Sequence, residues 1–192
     1  MLYSNMNIRL GVLIRNQSKL MKIGLCVVLF SSVAQANQSD IRLVIHGGAG
    51  DITEKIMSPE RQKEHEAKLT EALQAGYNIL SKGGDSLDAV QAAVIIMEDS
   101  PLYNAGKGAS LTVDNKVELD ASIMDGRDHK AGAVAGVSKV KNPIMAAYRV
   151  MTKSPYVMMG GVGAEQFAQA EGLDIVDPVY FPLIETHQTR IF

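Results

Sequence analysis

Apolar residues recur with helical spacing in some segments and form short strand-like runs in others, which divides the chain into predicted helices and strands. The apolar run at residues 41–45 predicts a strand, buried on both faces at its end, which stops in the glycine-rich residues 46–50. Ser58 and Pro59 then predict a helix start, because serine caps free N–H groups and proline needs none in the first turn. A glycine pair at residues 83–84 ends this helix. Its apolar face is predicted to consist of Leu69, Leu73, Tyr77 and Leu80.

A second helix and a hairpin are predicted next. Asp85 or Ser86 caps the helix, and Pro101 stops it. Residues 109–113 and 117–122 flank a polar turn, which predicts the two strands of a hairpin. The predicted apolar face of the helix consists of Leu87, Val90, Val94 and Met97.

The last third of the chain alternates between strand and helix patterns. Residues 131–137 predict a strand of small side chains, which would let a neighbouring layer approach closely. Asn142 and Pro143 predict a helix start, and a short strand at residues 156–161 and a last helix at residues 164–171 follow. The inward positions of the helix after Pro143 are predicted to be Ile144, Tyr148 and Met151. Strands that occur both in a hairpin and between helices predict an α/β fold built in α and β layers.

The first 36 residues have the charge pattern of a signal peptide. They carry four basic residues and no acid, and residues 23–33 are apolar but too short to span a bilayer comfortably. Ala34-Gln35-Ala36 is a cleavage signal, so we expect a periplasmic or secreted bacterial protein with no membrane anchor after cleavage. Met21 is an alternative start, and a buried core segment is the alternative interpretation of this leader.

Composition restricts the chemistry of the mature chain. The sequence has 192 residues and is 46% hydrophobic, which fits one globular domain. Cys26 is the only cysteine and lies in the leader, so disulfides, thiolate metal sites and a cysteine nucleophile are excluded from the mature chain. A net charge of −2 and the absence of tryptophan argue against a nucleic-acid partner.

The glycine-rich sequence at residues 46–50 first suggests a phosphate loop, but its context argues against one. A Walker loop needs Lys-Ser or Lys-Thr after its last glycine, and here Asp51 and Ile52 follow. The dinucleotide fingerprint needs a different glycine spacing and a helix that starts in the loop. Asp51 would also repel a phosphate. Glycine instead lets the main chain approach another segment closely, so a substrate, a neighbouring segment or a plain tight turn remains open.

Several collinear segments resemble one enzyme family. The sequences "VIHGGAG", "GGDSLDAVQAAVIIMEDSPLYNAGKGA", "ELDASIMDG" and "KAGAVAGVSKVKNPIMAAYRVMTKSPYVMMGGVGAEQFA" occur in this order. Together they closely resemble the isoaspartyl peptidase/L-asparaginase family (plant-type asparaginases), which are N-terminal-nucleophile hydrolases related to glycosylasparaginase. The resemblance covers about residues 41–181. It implies one half of an αββα sandwich, with residues 37–181 as the N-terminal, α-subunit half.

The resemblance also implies how such enzymes work. Their precursor cleaves itself and exposes a threonine, which hydrolyses β-aspartyl dipeptides and L-asparagine through an acyl-enzyme. A threonine hydroxyl is a poor nucleophile at neutral pH, and its own α-amino group, with a pKa near 8, is a suitable base. No organic cofactor is needed. The family assembles as (αβ)2, so this chain would need a β half.

The resemblance assigns two groups of site residues. Asn104 would lie beside the nucleophile, although a turn asparagine with positive φ is the alternative. His46, Gly47 and Gly48 would form the loop beneath it, with His46 more plausible as a structural hydrogen-bonding group than as a proton carrier. A structural Na⁺ would be held by main-chain carbonyls of Met97, Glu98, Ser100, Tyr103, Ala105 and Lys107. A tight loop without an ion is the alternative. For Asp120 and Asp125 a hairpin and turn role is favoured over paired-carboxylate catalysis.

The sequence departs from the family at the nucleophile. The family places its threonine in a Gly-Thr-Val-Gly-like junction, and no threonine of this sequence lies in that context: they are Thr53, Thr70, Thr112, Thr152, Thr186 and Thr189. We therefore expect no catalytic residue in this chain and no hydrolase activity from it alone. Residues 182–192 are expected to be an atypical tail from a truncation or frameshift, or a divergent linker. The alternatives are a non-catalytic remnant, an α-subunit-like binding piece, or a glycosylasparaginase-type amidase.

Overall fold

The computed structural model describes residues 41–47 and 57–181. The predicted leader at residues 1–36, Gly48 of the glycine loop and the predicted tail at residues 182–192 lie outside these ranges. The helices are α1 (Pro59–Leu80), α2 (Ser86–Glu98), α3 (Pro143–Lys153) and α4 (Gly161–Ala170). The strands are β1 (Leu119–Met124), β2 (Ala131–Val137) and β3 (Met158–Gly160), and short 3₁₀ turns span Gly106–Gly108 and Pro178–Tyr180. None of the described helices is both long and apolar enough to cross a membrane.

The predicted starts of α1 and α2 are confirmed by their caps, whereas α3 begins at the predicted Pro143 without a side-chain cap from Asn142. Ser58 Oγ accepts a hydrogen bond from the Arg61 N–H at 3.2 Å, with Pro59 in the first turn of α1. Asp85, rather than Ser86, caps α2, and its Oδ1 accepts from the Leu87 N–H at 2.8 Å. These bonds satisfy N–H groups that have no partner inside the helix. The last helix, α4, begins at Gly161, earlier than the predicted residue 164.

Helices α1 and α2 pack through small residues, which corrects part of the predicted apolar faces, while Leu87 of α2 is buried as predicted. Ala72 and Gly76 are the buried residues of α1, whereas Leu73 and Tyr77 are 36% and 42% exposed. On α2, Val90 is 38% exposed and the alanines carry the contact. A Cβ on Gly76 would lie 2.9 Å from the Ala89 carbonyl oxygen, so the backbones approach too closely for large side chains between them.

The three strands form one mixed sheet in the order β1-β2-β3. β1 pairs antiparallel with β2, and β2 pairs parallel with β3. The predicted hairpin is wrong in its first strand, because residues 109–113 contribute only the bridge between Leu111 and Val117. The predicted turn between residues 113 and 117 is present, but the strand that pairs with β1 is β2. The small side chains of β2 allow a helix to cover the β1–β2 pair.

Helices α3 and α4 cover one face of this sheet. Val134 of β2, Val150 of α3 and Ala164 of α4 belong to one buried apolar cluster. A Cβ on Gly132 of β2 would overlap the Ala147 carbonyl oxygen of α3, which confirms the predicted close approach to the small-residue strand. Helices on one face of a mixed sheet form an α/β fold, as predicted, consistent with half of an αββα sandwich.

The predicted strand at residues 41–45 is not a hydrogen-bonded strand. These residues alternate in burial, with Ile41, Leu43 and Ile45 half-buried and Val44 exposed, so they are not buried on both faces. Leu43 packs instead towards Gly76 of α1. The period of two therefore reflects packing of an extended segment against a helix.

Asp120 and Asp125 have structural roles, as favoured from the sequence. Asp120 Oδ1 accepts from the Gly136 N–H at 2.8 Å across the β1–β2 pair. Asp125 accepts from the main chain and guanidinium of Arg127, which also binds Asp85 at 2.6 Å. These bonds hold the pKa of Asp125 at about 2. Its carboxylate is thus committed to the turn after β1.

Candidate functional site

The loop that follows α2 is held in shape by its own main chain. The Met97 carbonyl accepts from the Ser100 N–H at 3.1 Å, the Tyr103 carbonyl from the Ala105 N–H at 2.8 Å, and the Ala105 carbonyl from the Gly108 N–H at 3.0 Å. A carbonyl oxygen has two lone pairs, so the Tyr103 and Ala105 carbonyls can each also face an ion, whereas the Met97 carbonyl accepts from the Asp99 N–H as well. We call residues 97–108 the cation loop.

Two glycines let the cation loop close on itself. Gly106 has a φ of +48°, and a Cβ there would overlap the Glu98 carbonyl oxygen. A Cβ on Gly108 would overlap the Tyr103 carbonyl oxygen. Carbonyls of two predicted ligands, Glu98 and Tyr103, therefore face the short 3₁₀ turn at Gly106–Gly108. Main-chain carbonyl oxygens are a donor type that suits a hard monovalent ion, so the donor chemistry of this loop is compatible with Na⁺, which stays a prediction.

The described residues contain no cluster of metal-binding side chains beside the carbonyls of the cation loop. Across residues 41–47 and 57–181, no group of three or more His, Cys, Asp or Glu side chains is placed to hold a metal ion.

Asn104 is exposed within the cation loop, and its side chain holds the loop exit. Its Oδ1 accepts from the Ser110 N–H at 2.8 Å. The alternative of a turn asparagine with positive φ is wrong, because the described non-glycine residues with positive φ are Asn115 and His129. With the amide oxygen committed to the loop, the NH₂ group is the part of Asn104 that can donate to a reacting group.

Gly47, in the described part of the glycine-rich sequence, packs against the cation loop. A Cβ on Gly47 would lie 2.7 Å from Tyr103 Cε1 and 3.0 Å from Met97 Cε. A side chain at position 47 would therefore force Tyr103 or Met97 to move, and Tyr103 is the residue directly before Asn104 in the cation loop. His46 is exposed next to Gly47, and its predicted structural role stays a prediction.

Tyr103 is a site residue whose side chain the sequence analysis missed. It is buried, its hydroxyl donates to the His65 carbonyl at 3.2 Å, and its ring meets the His65 ring edge-on at 5.4 Å. Burial raises the pKa of the Tyr103 hydroxyl, so it stays a neutral donor. Tyr103 thereby connects α1, the glycine loop and the cation loop. An aromatic residue directly before Asn104 is the available sequence signal.

Glu98 is the second residue that was missed, since only its carbonyl was predicted to act. Its side chain is 3% exposed, and Oε1 accepts from the Ile144 N–H at 3.0 Å. Oε2 is buried and has no hydrogen-bond partner among the described residues. Burial raises the pKa of Glu98 to about 7, more than the bond from Ile144 lowers it. A glutamate in the apolar last turn of α2 was the signal in the sequence.

The raised pKa of Glu98 makes stability depend on pH. The native state binds this proton more tightly than the unfolded state, whose Glu98 has a pKa near 4.5. The contribution of Glu98 to the free energy of unfolding should therefore be fully present below pH 4.5 and be lost as the pH rises through 7, a change of about 3 kcal/mol. Urea unfolding of the wild type and Glu98→Gln from about pH 5 to about pH 8 checks this, since glutamine does not titrate. A difference between the two proteins that is constant with pH would contradict it.

Other side chains frame the cation loop. Asp99 Oδ1 accepts from the Asn142 amide at 3.2 Å and from the Tyr180 hydroxyl at 3.5 Å. The Lys107 ammonium lies 5.2 Å from the centre of the Tyr180 ring, a cation–π distance. The loop is therefore contacted both by the start of α3 and by the turn that follows α4.

Known proteins match this chain. A family model described as asparaginase matches residues 39–190. A putative isoaspartyl peptidase/L-asparaginase of Dictyostelium discoideum is 50% identical over 139 residues, which are 72% of this chain and 40% of that protein. The isoaspartyl peptidase of Escherichia coli K12 is 48% identical over 139 residues (72% and 43%), and the plant-type L-asparaginase of Pyrococcus abyssi is 45% identical over 138 residues (72% and 44%).

These similarities and the α/β fold define the class of the protein. The chain belongs to the isoaspartyl peptidase/L-asparaginase family, as the resemblance indicated. It spans about two fifths of the length of the curated relatives it matches.

Proposed function

We propose that this chain forms the floor and the cation loop of an isoaspartyl peptidase/L-asparaginase active site. The observation that carries the proposal is the contact of Gly47 with Tyr103 and Met97, which joins the glycine loop to the cation loop beside Asn104. The substrates would be β-aspartyl dipeptides and L-asparagine, the class that the relatives' names indicate.

The reaction needs more than this floor. A threonine would attack the side-chain carbonyl of the substrate while its free α-amino group takes the hydroxyl proton, and the C–N bond then breaks so that ammonia or an amine leaves with that proton. Water would next hydrolyse the acyl ester, which frees the threonine hydroxyl and the carboxylic acid. In this scheme the exposed NH₂ of Asn104 donates to the threonine or to the charge that develops on the attacked oxygen. The ion in the cation loop would supply a fixed positive charge that holds the loop's carbonyls in place.

We further propose that the 192-residue polypeptide does not perform this reaction by itself. None of its threonines stands in a Gly-Thr-Val-Gly-like context, so the group that would attack the substrate is missing from the sequence. The same observation favours the second candidate, a non-catalytic remnant or an α-subunit-like binding piece.

An activity assay tests whether this chain alone can hydrolyse the substrates of its family. Purified protein should release no ammonia from L-asparagine and no aspartate from β-Asp-Leu, because it lacks the nucleophile. The E. coli isoaspartyl peptidase is the positive control for β-Asp-Leu, and the plant-type L-asparaginase of Pyrococcus abyssi is the positive control for L-asparagine. Robust turnover by the chain would disprove the missing nucleophile, and turnover of a glycosylated asparagine alone would favour the glycosylasparaginase-type alternative.

The gene distinguishes a broken enzyme from a remnant. Reading the DNA downstream of the codon for Phe181 in all frames should find a Gly-Thr-Val-Gly-like junction if a truncation or frameshift interrupts the enzyme. Its absence from every frame would favour the remnant or binding piece.

We also propose where the mature chain is located and which assembly it joins. Removal of residues 1–36 would place the mature chain in a bacterial periplasm or outside the cell, where it would join a β half in an (αβ)2 enzyme. N-terminal sequencing of protein recovered from the periplasm should begin at Asn37. A first residue in the leader would contradict the proposed cleavage.

A further inference from the structure

Glu98 contacts two separate parts of the molecule, one with its main-chain carbonyl and the other with its side-chain carboxyl group. Its main-chain carbonyl faces Gly106 in the cation loop, where any side chain would collide with it. Its carboxyl group reaches in the other direction and accepts from the Ile144 N–H in the first turn of α3. One buried residue therefore connects the cation loop with a helix 46 positions away.

Helix α3 depends on this contact because it lacks a cap of its own. The N-cap residue Asn142 makes no side-chain capping bond, and Pro143 has no N–H to offer. Ile144 is thus the first residue of α3 that can donate, and Glu98 receives its N–H. A carboxyl group at this end also suits the partial positive charge of the helix dipole.

The local packing alone does not explain a glutamate at this position. Its neighbours around the start of α3 include the buried Ile144 and Ala147, and Glu98 Oε2 has no partner among the described residues. A buried oxygen without a partner lowers stability, and an apolar side chain of similar size would avoid that cost. The carboxyl group accepts from the Ile144 N–H and makes a side-chain hydrogen bond with Asn142, both at the start of α3, which points to orientation of the residue as its role.

We infer that Glu98 is a positioning residue, which fixes the carbonyls of the cation loop by anchoring the end of α2 to the start of α3. This inference rests on the proposed function, because it requires the cation loop to bind an ion. The ion is expected to be Na⁺, and Glu98 acts on it through the main chain, without its carboxylate as a ligand.

Sodium-dependent stability of the full chain tests this role. Thermal unfolding at fixed pH is followed over a titration of NaCl against choline chloride at constant ionic strength, since an ion that binds only the native state raises its stability. Glu98→Ala should weaken the apparent Na⁺ affinity by about tenfold, the size expected for loss of a hydrogen bond to a charged group. Glu98→Gln keeps an oxygen acceptor for Ile144 and should keep the affinity close to that of the wild type.

Glu165 offers a matched control. Its Oε1 accepts from the Ser138 N–H at 2.7 Å and the Lys139 N–H at 3.1 Å, so it also anchors a main-chain segment, but outside the cation loop. Glu165→Ala should lower the melting temperature and leave the Na⁺ dependence intact.

Each outcome has a distinct meaning. Unchanged Na⁺ dependence in Glu98→Ala would overturn the positioning role while leaving the cation site in place. Equal loss in Glu98→Gln and Glu98→Ala would also overturn it, because charge rather than anchoring would then matter. A wild type whose stability is the same in NaCl and choline chloride would overturn the cation loop as an ion site, and this inference with it.

Discussion

Replacing Phe181 with alanine should lower the free energy of unfolding by about 4 kcal/mol. Phe181 is 1% exposed and belongs to the main apolar cluster, together with residues of β2, α3 and α4. Its ring also meets the Tyr180 ring edge-on at 5.2 Å. Removing it would leave a cavity where all three elements meet, and rigid neighbours do not close such a cavity fully.

A neighbouring residue provides the control for Phe181. Val179 lies two residues earlier and is 83% exposed, so Val179→Ala should change stability by less than about 0.5 kcal/mol. Urea unfolding followed by circular dichroism measures both variants. Equal stabilities for Phe181→Ala and Val179→Ala would show that the segment after α4 does not complete the core.

Gly132→Val should destabilise the protein by about 4 kcal/mol, more than ordinary overpacking, because main-chain atoms block the new side chain. A Cβ on Gly132 would overlap the Ala147 carbonyl oxygen and lie 2.8 Å from the Met151 Cβ. Helix α3 would have to move away from β2 to make room. The higher β propensity of valine does not compensate for this loss of packing.

Gly160 in the adjacent strand β3 is the control for Gly132. A Cβ there would lie 3.5 Å from the Ala135 carbonyl oxygen, an ordinary contact distance, so Gly160→Ala should be tolerated. The midpoint of thermal unfolding separates the two variants. A Gly132→Val protein as stable as Gly160→Ala would mean that α3 does not lie directly on β2.

Local signals in the sequence identified most helix starts and the strand of small residues. Ser58, Asp85 and Pro143 act within one turn of their own helix, so their effect is visible in a short stretch of sequence. The small residues of residues 131–137 predicted a close neighbour, and Gly132 has one in α3. The resemblance then supplied the cation loop, which no periodicity would have indicated.

Long-range packing explains what the sequence did not reveal. The faces of α1 and α2 were assigned to large apolar residues, but Gly76 and Ala89 let the two helices meet more closely than those residues allow. The hairpin partner of β1 was misassigned because β2 offers a longer ladder than residues 109–113 do. Glu98 was read as a carbonyl ligand only, since its bond to Ile144 depends on a tertiary contact.

β2 lies in the centre of the sheet, and its pairings with β1 and with β3 close over different lengths of chain. Its pairing with β1 closes across the short connection between Met124 and Ala131, which costs little chain entropy. Its parallel pairing with β3 must wait for a chain that crosses over through α3, and parallel neighbours require such a crossover. Contacts of greater sequence separation carry a larger cost of loop closure, so we expect β3 to join the sheet after β1 and β2 have paired. The order β1-β2-β3 along the sheet would then also be an order in time.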